Sequence, residues 1–140
     1  MPRFDDPAVP IGRADLVFYD VDPKGPSYQA RIYLNAPDAD PTTPRDVEHG
    51  FAGWFTIFGH GGCFGDDERH CEYSAHVDPF DLRPPRGIPP QTKTVTVTDA
   101  LKRLRGSEFT VTVVAVVATA QGPEAIDTLD FRQLRLLTYE

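Results

Sequence analysis

Apolar and polar positions alternate along several short runs of this chain. Leu16 and Phe18 interleave with Val17 and Tyr19, and a turn follows at Asp22-Pro23-Lys24-Gly25-Pro26. In the next run Tyr28, Ala30, Ile32 and Leu34 share one face, with Gln29, Arg31, Tyr33 and Asn35 on the other. A period of two is the spacing of a strand buried on one side, so both runs are predicted strands that could pair as a hairpin. Asn35 to Pro41 closes the second strand with turn formers, and Pro44 to Gly50 extends the excursion. Gly53 to Phe58 is aromatic and β-branched, which suits a central strand, and Trp54 is expected in the core rather than as a ligand platform.

Further on, Val95 and Val97 alternate with Thr94, Thr96 and Thr98, giving a strand over Lys93 to Thr98. Thr98 or Asp99 is then placed to cap a short helix from Ala100 to Arg105, which Gly106 ends. Phe109 to Ala118 is the most strongly β-forming segment, with Thr110 and Thr112 outside and Val111 and Val113 inside. From Val114 to Val117 both faces are apolar, which predicts cover on both sides. Gln121 to Glu124 turns the chain, and Leu129 to Tyr139 supplies a last strand.

Ten prolines fall between Pro23 and Pro90, and five of them crowd Pro79 to Pro90. That last segment cannot be a helix or an inner strand, so it is expected to cross between two sheets. Six or seven strands with long Pro-rich crossings and one short helix predict an all-β fold. The expected architecture is an antiparallel β-sandwich in a single domain, residues 1–140, with a small barrel as the alternative.

At 140 residues the chain can bury a core without staples. A net charge of −7 with scattered Lys and Arg argues against nucleic acid as a partner. Lys102-Arg103-Leu104-Arg105 is the one dense basic group, and it reads as a solvated helix face. No run approaches the roughly 20 apolar residues that span a bilayer, and the residues after Met1 lack the apolar core of a signal peptide. The expectation is therefore no membrane partner and a cytoplasmic location, or a piece of something longer.

Groups able to do chemistry concentrate after Gly59. There a glycine-broken loop holds both cysteines, Cys63 and Cys71, with His60, His70, Asp66, Asp67 and Glu68. Thiolate and neutral imidazole are ligands for zinc or copper(I), and four of them close a tetrahedral site. His60, Cys63, His70 and Cys71 are thus candidate metal ligands, with the three acids around them. Two other readings stand beside that one. Cys63 and Cys71 could close a short disulfide, or remain reduced while the histidines bond loop carbonyls. A Cys-His nucleophile lacks a group to orient its base.

Elsewhere the signals are bland. His49 and His76 are expected to be solvated, and Asp127 and Asp130 to be turn acids. Asp38, Asp40 and Asp46 lack calcium-loop spacing and a bidentate Glu. No phosphate-binding Gly-rich loop or Gly-x-Ser-x-Gly elbow occurs.

Several of these segments resemble the carboxy-terminal β-rich domain attached to bacterial tyrosinase and polyphenol-oxidase-like proteins. The resemblance lies in Ser27 to Asp40, in Gly53 to Gly65 with its Gly-His-Gly-Gly-Cys-Phe-Gly, in Pro90 to Val95, in Phe109 to Val117 and in Arg135 to Tyr139. It implies a sandwich that docks on a helical dicopper domain, in the same chain or a separate one, and shields its copper site. It also implies that a side chain reaches the entrance of that site. Phe64 is the candidate plug, with Gly61, Gly62 and Gly65 letting its loop approach another backbone; anchoring of Phe64 in its own core is the alternative. The chain departs from the parent enzymes in having four histidines, none at helical i, i+4 spacing. It cannot supply six copper ligands, so it is expected to be non-catalytic alone. The other function in play is delivery of copper(I) or zinc by the loop from residue 60 to 71.

Overall fold

The computed structural model describes residues 11–59, 79–80, 82, 89–104 and 108–140. Among them, seven strands and one short helix follow in order: β1 (Arg13–Val21), β2 (Tyr28–Leu34), β3 (Phe51–Ile57), β4 (Gln91–Thr96), α1 (Thr98–Arg103), β5 (Val111–Thr119), β6 (Gly122–Ala125) and β7 (Gln133–Tyr139). They form two antiparallel sheets, ordered β4-β1-β7 and β3-β2-β5-β6. This is the predicted sandwich and not a closed barrel.

The alternation along the strands builds the core. Leu16 and Phe18 of β1 face Ala30 and Ile32 of β2, Phe55 and Ile57 of β3 and Ala115 of β5 in one buried cluster. The Phe18 ring lies 4.9 Å from that of Phe55 and 5.3 Å, edge-on, from that of Phe131. Tilted and edge-on contacts of this kind suit the ring quadrupoles. Burying one such side chain is worth about 1.5–3 kcal/mol.

β1 and β2 do not form the expected hairpin. Leu16 pairs with Val95 on one side and Leu136 on the other, so both edges of β1 are taken within its own sheet. The register shifts between Phe18 and Val21, and Asp20 adopts a left-handed φ of 55°. That irregularity turns the chain out of the first sheet, where the Asp22 N–H donates to the Asp130 carbonyl at 2.8 Å. The same residues that looked like one hairpin therefore open two sheets.

β3 is likewise an edge strand, not a central one. Its apolar residues serve two faces, with Phe55 and Ile57 inside and Trp54 outside. Gly53 lets β3 approach β4, the edge of the opposite sheet. A Cβ on it would sit 2.5 Å from Val95 Cγ1. The two edges thus close one side of the sandwich.

The helix begins at Thr98, before the predicted Ala100, and stops at Arg103, with Val97 in the capping position and no side-chain cap. The Thr98 hydroxyl instead accepts from the Ala14 N–H at 3.0 Å, which ties the helix to β1. Leu101 fills the core beneath it. The turn expected from Gln121 to Glu124 is tighter than that, because Gly122 already opens the short strand β6.

A strap from Asn35 to Gly50 crosses the outer face of the four-stranded sheet. Ala36, Ala39 and Phe51 pack on Tyr33, Val114 and Val116 there, so Tyr33 is fully buried although its strand neighbours alternate. The strap is the second cover that the apolar run at Val114 to Val116 predicts. Its two ends meet where the Leu34 N–H donates to the Gly50 carbonyl at 2.8 Å. The Tyr33 hydroxyl donates to the Thr43 carbonyl at 3.1 Å, and Arg31 donates to that of Pro41 at 3.3 Å.

Asp15 is the one buried charged residue among those described. Arg13 Nε and Thr96 Oγ1 each donate to its Oδ1 at 3.0 Å, pinning β1 to β4. The Arg13 hydrogen bond outweighs desolvation and, with Thr96, holds this carboxyl below the usual carboxylate range. A depressed folded-state pKa stabilises the fold above the unfolded value near 4, and that contribution fades as pH falls through the folded pKa. Asp15→Asn is expected to lose about 1–2 kcal/mol at neutral pH and to lose less stability than wild type on acidification. Urea denaturation from pH 7 downward checks this; parallel pH profiles would contradict it.

Candidate functional site

The predicted ligands His60, Cys63, His70 and Cys71 lie outside the described residues. So do the docking candidates Phe64, Gly61, Gly62 and Gly65, together with Asp66, Asp67, Glu68 and His76. What the fold fixes is the point from which their loop departs. β3 alternates inward and outward and ends at Ile57, and buried Gly59 follows two residues later. The Gly59 N–H donates to Ser27 Oγ at 2.9 Å. A Cβ at Gly59 would collide with the Gly25 carbonyl and the Pro26 backbone, so only glycine lets the strand end sit flush against the β1–β2 connection. The loop root is therefore built into the end of the sandwich.

The strand leading to that root carries a second feature. Exposure alternates through Trp54, Thr56 and Phe58, placing all three on the outer face of the four-stranded sheet. Trp54 is 53% exposed and Phe58 77% exposed. The expectation of a core Trp54 fails because Phe55 and Ile57 already occupy the inner face of this edge strand. Arg31 lies opposite Trp54 on β2, its guanidinium occupied by Gln29 Oε1 at 2.8 Å and by Pro41. Beside the stripe runs an open groove of about 390 Å³ whose lining includes Ser27, Gln29, Thr56, Phe58 and Val116. Thr56 was the legible signal, since a polar residue between two aromatics at a period of two marks the outward face.

The titratable groups that are described serve structure. Asp40 accepts from the Thr42 hydroxyl and backbone and from Thr43, and these bonds hold its carboxyl below the usual range. Asp46 caps the single turn Val47–His49, and its Oδ1 lies 2.5 Å from His49 Nδ1. That bond, above all, lowers the Asp46 pKa. His49 is thus paired as well as half-exposed. Burial raises the Tyr33 hydroxyl, and burial with the nearby Asp22 and Asp130 pushes Tyr28 up to about 12. Among the described residues the buried Tyr28 hydroxyl has no hydrogen-bond partner.

Among the described residues no three His, Cys, Asp or Glu side chains gather to hold a metal ion. No described helix is long and apolar enough to cross a membrane. A wider hollow of about 520 Å³ lies between the strap and the end of α1, lined in part by Asn35, Pro37, Glu48, His49 and Leu104. Its side chains include no nucleophile paired with a base.

No protein-family model, curated protein or solved structure matches the chain. None of these comparisons links the chain to tyrosinase carboxy-terminal domains.

Gly59→Ala is expected to cost about 1–3 kcal/mol through overpacking at the loop root, and Ser27→Ala about 1 kcal/mol through one hydrogen bond. Urea denaturation of the two variants measures both. A neutral Gly59→Ala would show that the root is not seated as described.

Proposed function

We propose that this chain is a non-catalytic accessory domain that docks on a helical dicopper domain of tyrosinase type and shields its copper site. The observation that carries the reading is the seating of Gly59. A tip meant to enter a partner needs a fixed base, and here the base is a glycine held by Ser27 and wedged against Gly25 and Pro26. Gly59 is also the first residue of the Gly-His-Gly-Gly-Cys-Phe-Gly motif on which the resemblance rests. Asp40, Asp46 and His49, engaged in a turn and a cap, fit a scaffold role. In this reading Phe64 is the group inserted at the partner's entrance, and the glycines around it permit close backbone approach.

The test mixes the purified chain with a tyrosinase catalytic domain stripped of its own β-domain. The expected results are co-elution in gel filtration and slower catechol oxidation, both relieved in Phe64→Ala. Unchanged oxidation with excess chain overturns the reading. Metal analysis with a thiol count on the same material separates the competing role. One tight copper(I) per chain, lost in the Cys63→Ser, Cys71→Ser double variant, together with undiminished oxidase activity, would make the loop a metal-delivery site instead.

A further inference from the structure

The outer stripe on β3 has chemistry of its own, separate from the loop. Trp54 and Phe58 are four residues apart on one face, about 13 Å along an extended chain at the usual rise per residue. Thr56 stands between them, and Gln29 lies directly opposite Thr56 on β2. The Thr56 hydroxyl holds no hydrogen bond among the described residues, and the Gln29 side chain gives its oxygen to Arg31, leaving the amide NH₂ as a donor. Aromatic faces at each end of a row, with unused polar groups in the middle, are complementary to a ligand that alternates C–H faces and hydroxyls.

The adjoining groove narrows the class. It is a shallow, open groove of about 390 Å³ that borders Phe58, Thr56 and Gln29 but not Trp54, and its lining is mainly apolar with a few polar groups. Its lining residues include no acid, lysine, arginine or histidine. The chain as a whole carries −7, which repels anions, and Arg31 is already engaged. A neutral, polyhydroxylated ring ligand satisfies all of these constraints.

We infer that the face formed by Trp54, Thr56, Phe58 and Gln29 binds a neutral carbohydrate chain, its pyranose rings stacked on the two aromatics and its hydroxyls bonded to Thr56 and Gln29. The site lies on β3, the residue that follows it and the facing β2, and is independent of the partner proposed for the loop.

Trp54 is the single tryptophan of the chain, so its fluorescence reports this face directly. Titration with cellohexaose, xylohexaose and mannohexaose is expected to give a saturable change in emission with at least one of them. Phe58→Ala should weaken that binding about tenfold or more. Trp54→Ala, followed by affinity electrophoresis in the matching polysaccharide, should migrate as in an empty gel. Both positions are exposed, and circular dichroism confirms that the variants remain folded. Silent emission with all three sugars overturns the proposal. Loss of docking to the copper domain in Trp54→Ala, with no sugar response in wild type, also overturns it and makes the face a protein interface. Because neither variant alters the loop from residue 60 onward, failure here leaves the shielding role to its own test.

Discussion

Phe18 is where the two sheets are held to each other. Its ring is fully buried between Phe55 of the opposite sheet and Phe131 of the segment leading into β7. β1 is hydrogen-bonded on both edges, to β4 and β7, so the ring is fixed by a strand that has little freedom to move. Removing such a side chain would cost the transfer of its surface and the cavity it leaves. This contact ties β3 of one sheet to β1 of the other, and strand pairing places the remaining strands around them. Closure at the side, where Gly53 meets Val95, and the Asp15 clamp between β1 and β4 add to it.

Several surface features depend on that frame. The strap reaches back over the four-stranded sheet because Tyr33, Val114 and Val116 offer an apolar outer face beside its origin. The loop root sits where β3 runs out against the β1–β2 connection. Trp54, on β3, and Phe58, just past its end, are exposed, whereas Phe55 and Ile57 face the core. One edge strand therefore supplies a core wall and leads through exposed Phe58 to buried Gly59. Trp54 and Gly59 lie in different surroundings, so changes at the two should act separately.

Much of this was legible in the pattern of side chains. The period of two along residues 16–19, 28–34 and 110–113 marks strands, and the prolines mark where pairing must stop. The doubly apolar run at Val114 to Val117 foretells cover on both faces, although nothing in the sequence says that residues 35–50 provide it. Pairing partners were not legible. The run at Leu16 and the run at Tyr28 are neighbours in sequence with a good turn between them, and local chemistry favours a hairpin. Only the long-range pairings of Leu16 with Val95 and Leu136 exclude it. Trp54 and Thr98 misled for different reasons. Alternation with inward Phe55 and Ile57 turns Trp54 outward, whereas the Thr98 hydroxyl accepts from the Ala14 N–H instead of capping the helix. Of the candidate site, His60, Cys63, His70 and Cys71 lie outside the described residues, and the seating of Gly59 before them became visible only with the fold.

The central claim is that both sheets and the loop root form one cooperative unit. Native-state hydrogen exchange tests it most directly. The account predicts that the amides of Leu16, Ile32 and Gly59 exchange only through global unfolding, with the same free energy and the same denaturant dependence. Fast exchange at Gly59, or separate opening of the β4-β1-β7 sheet, would contradict it.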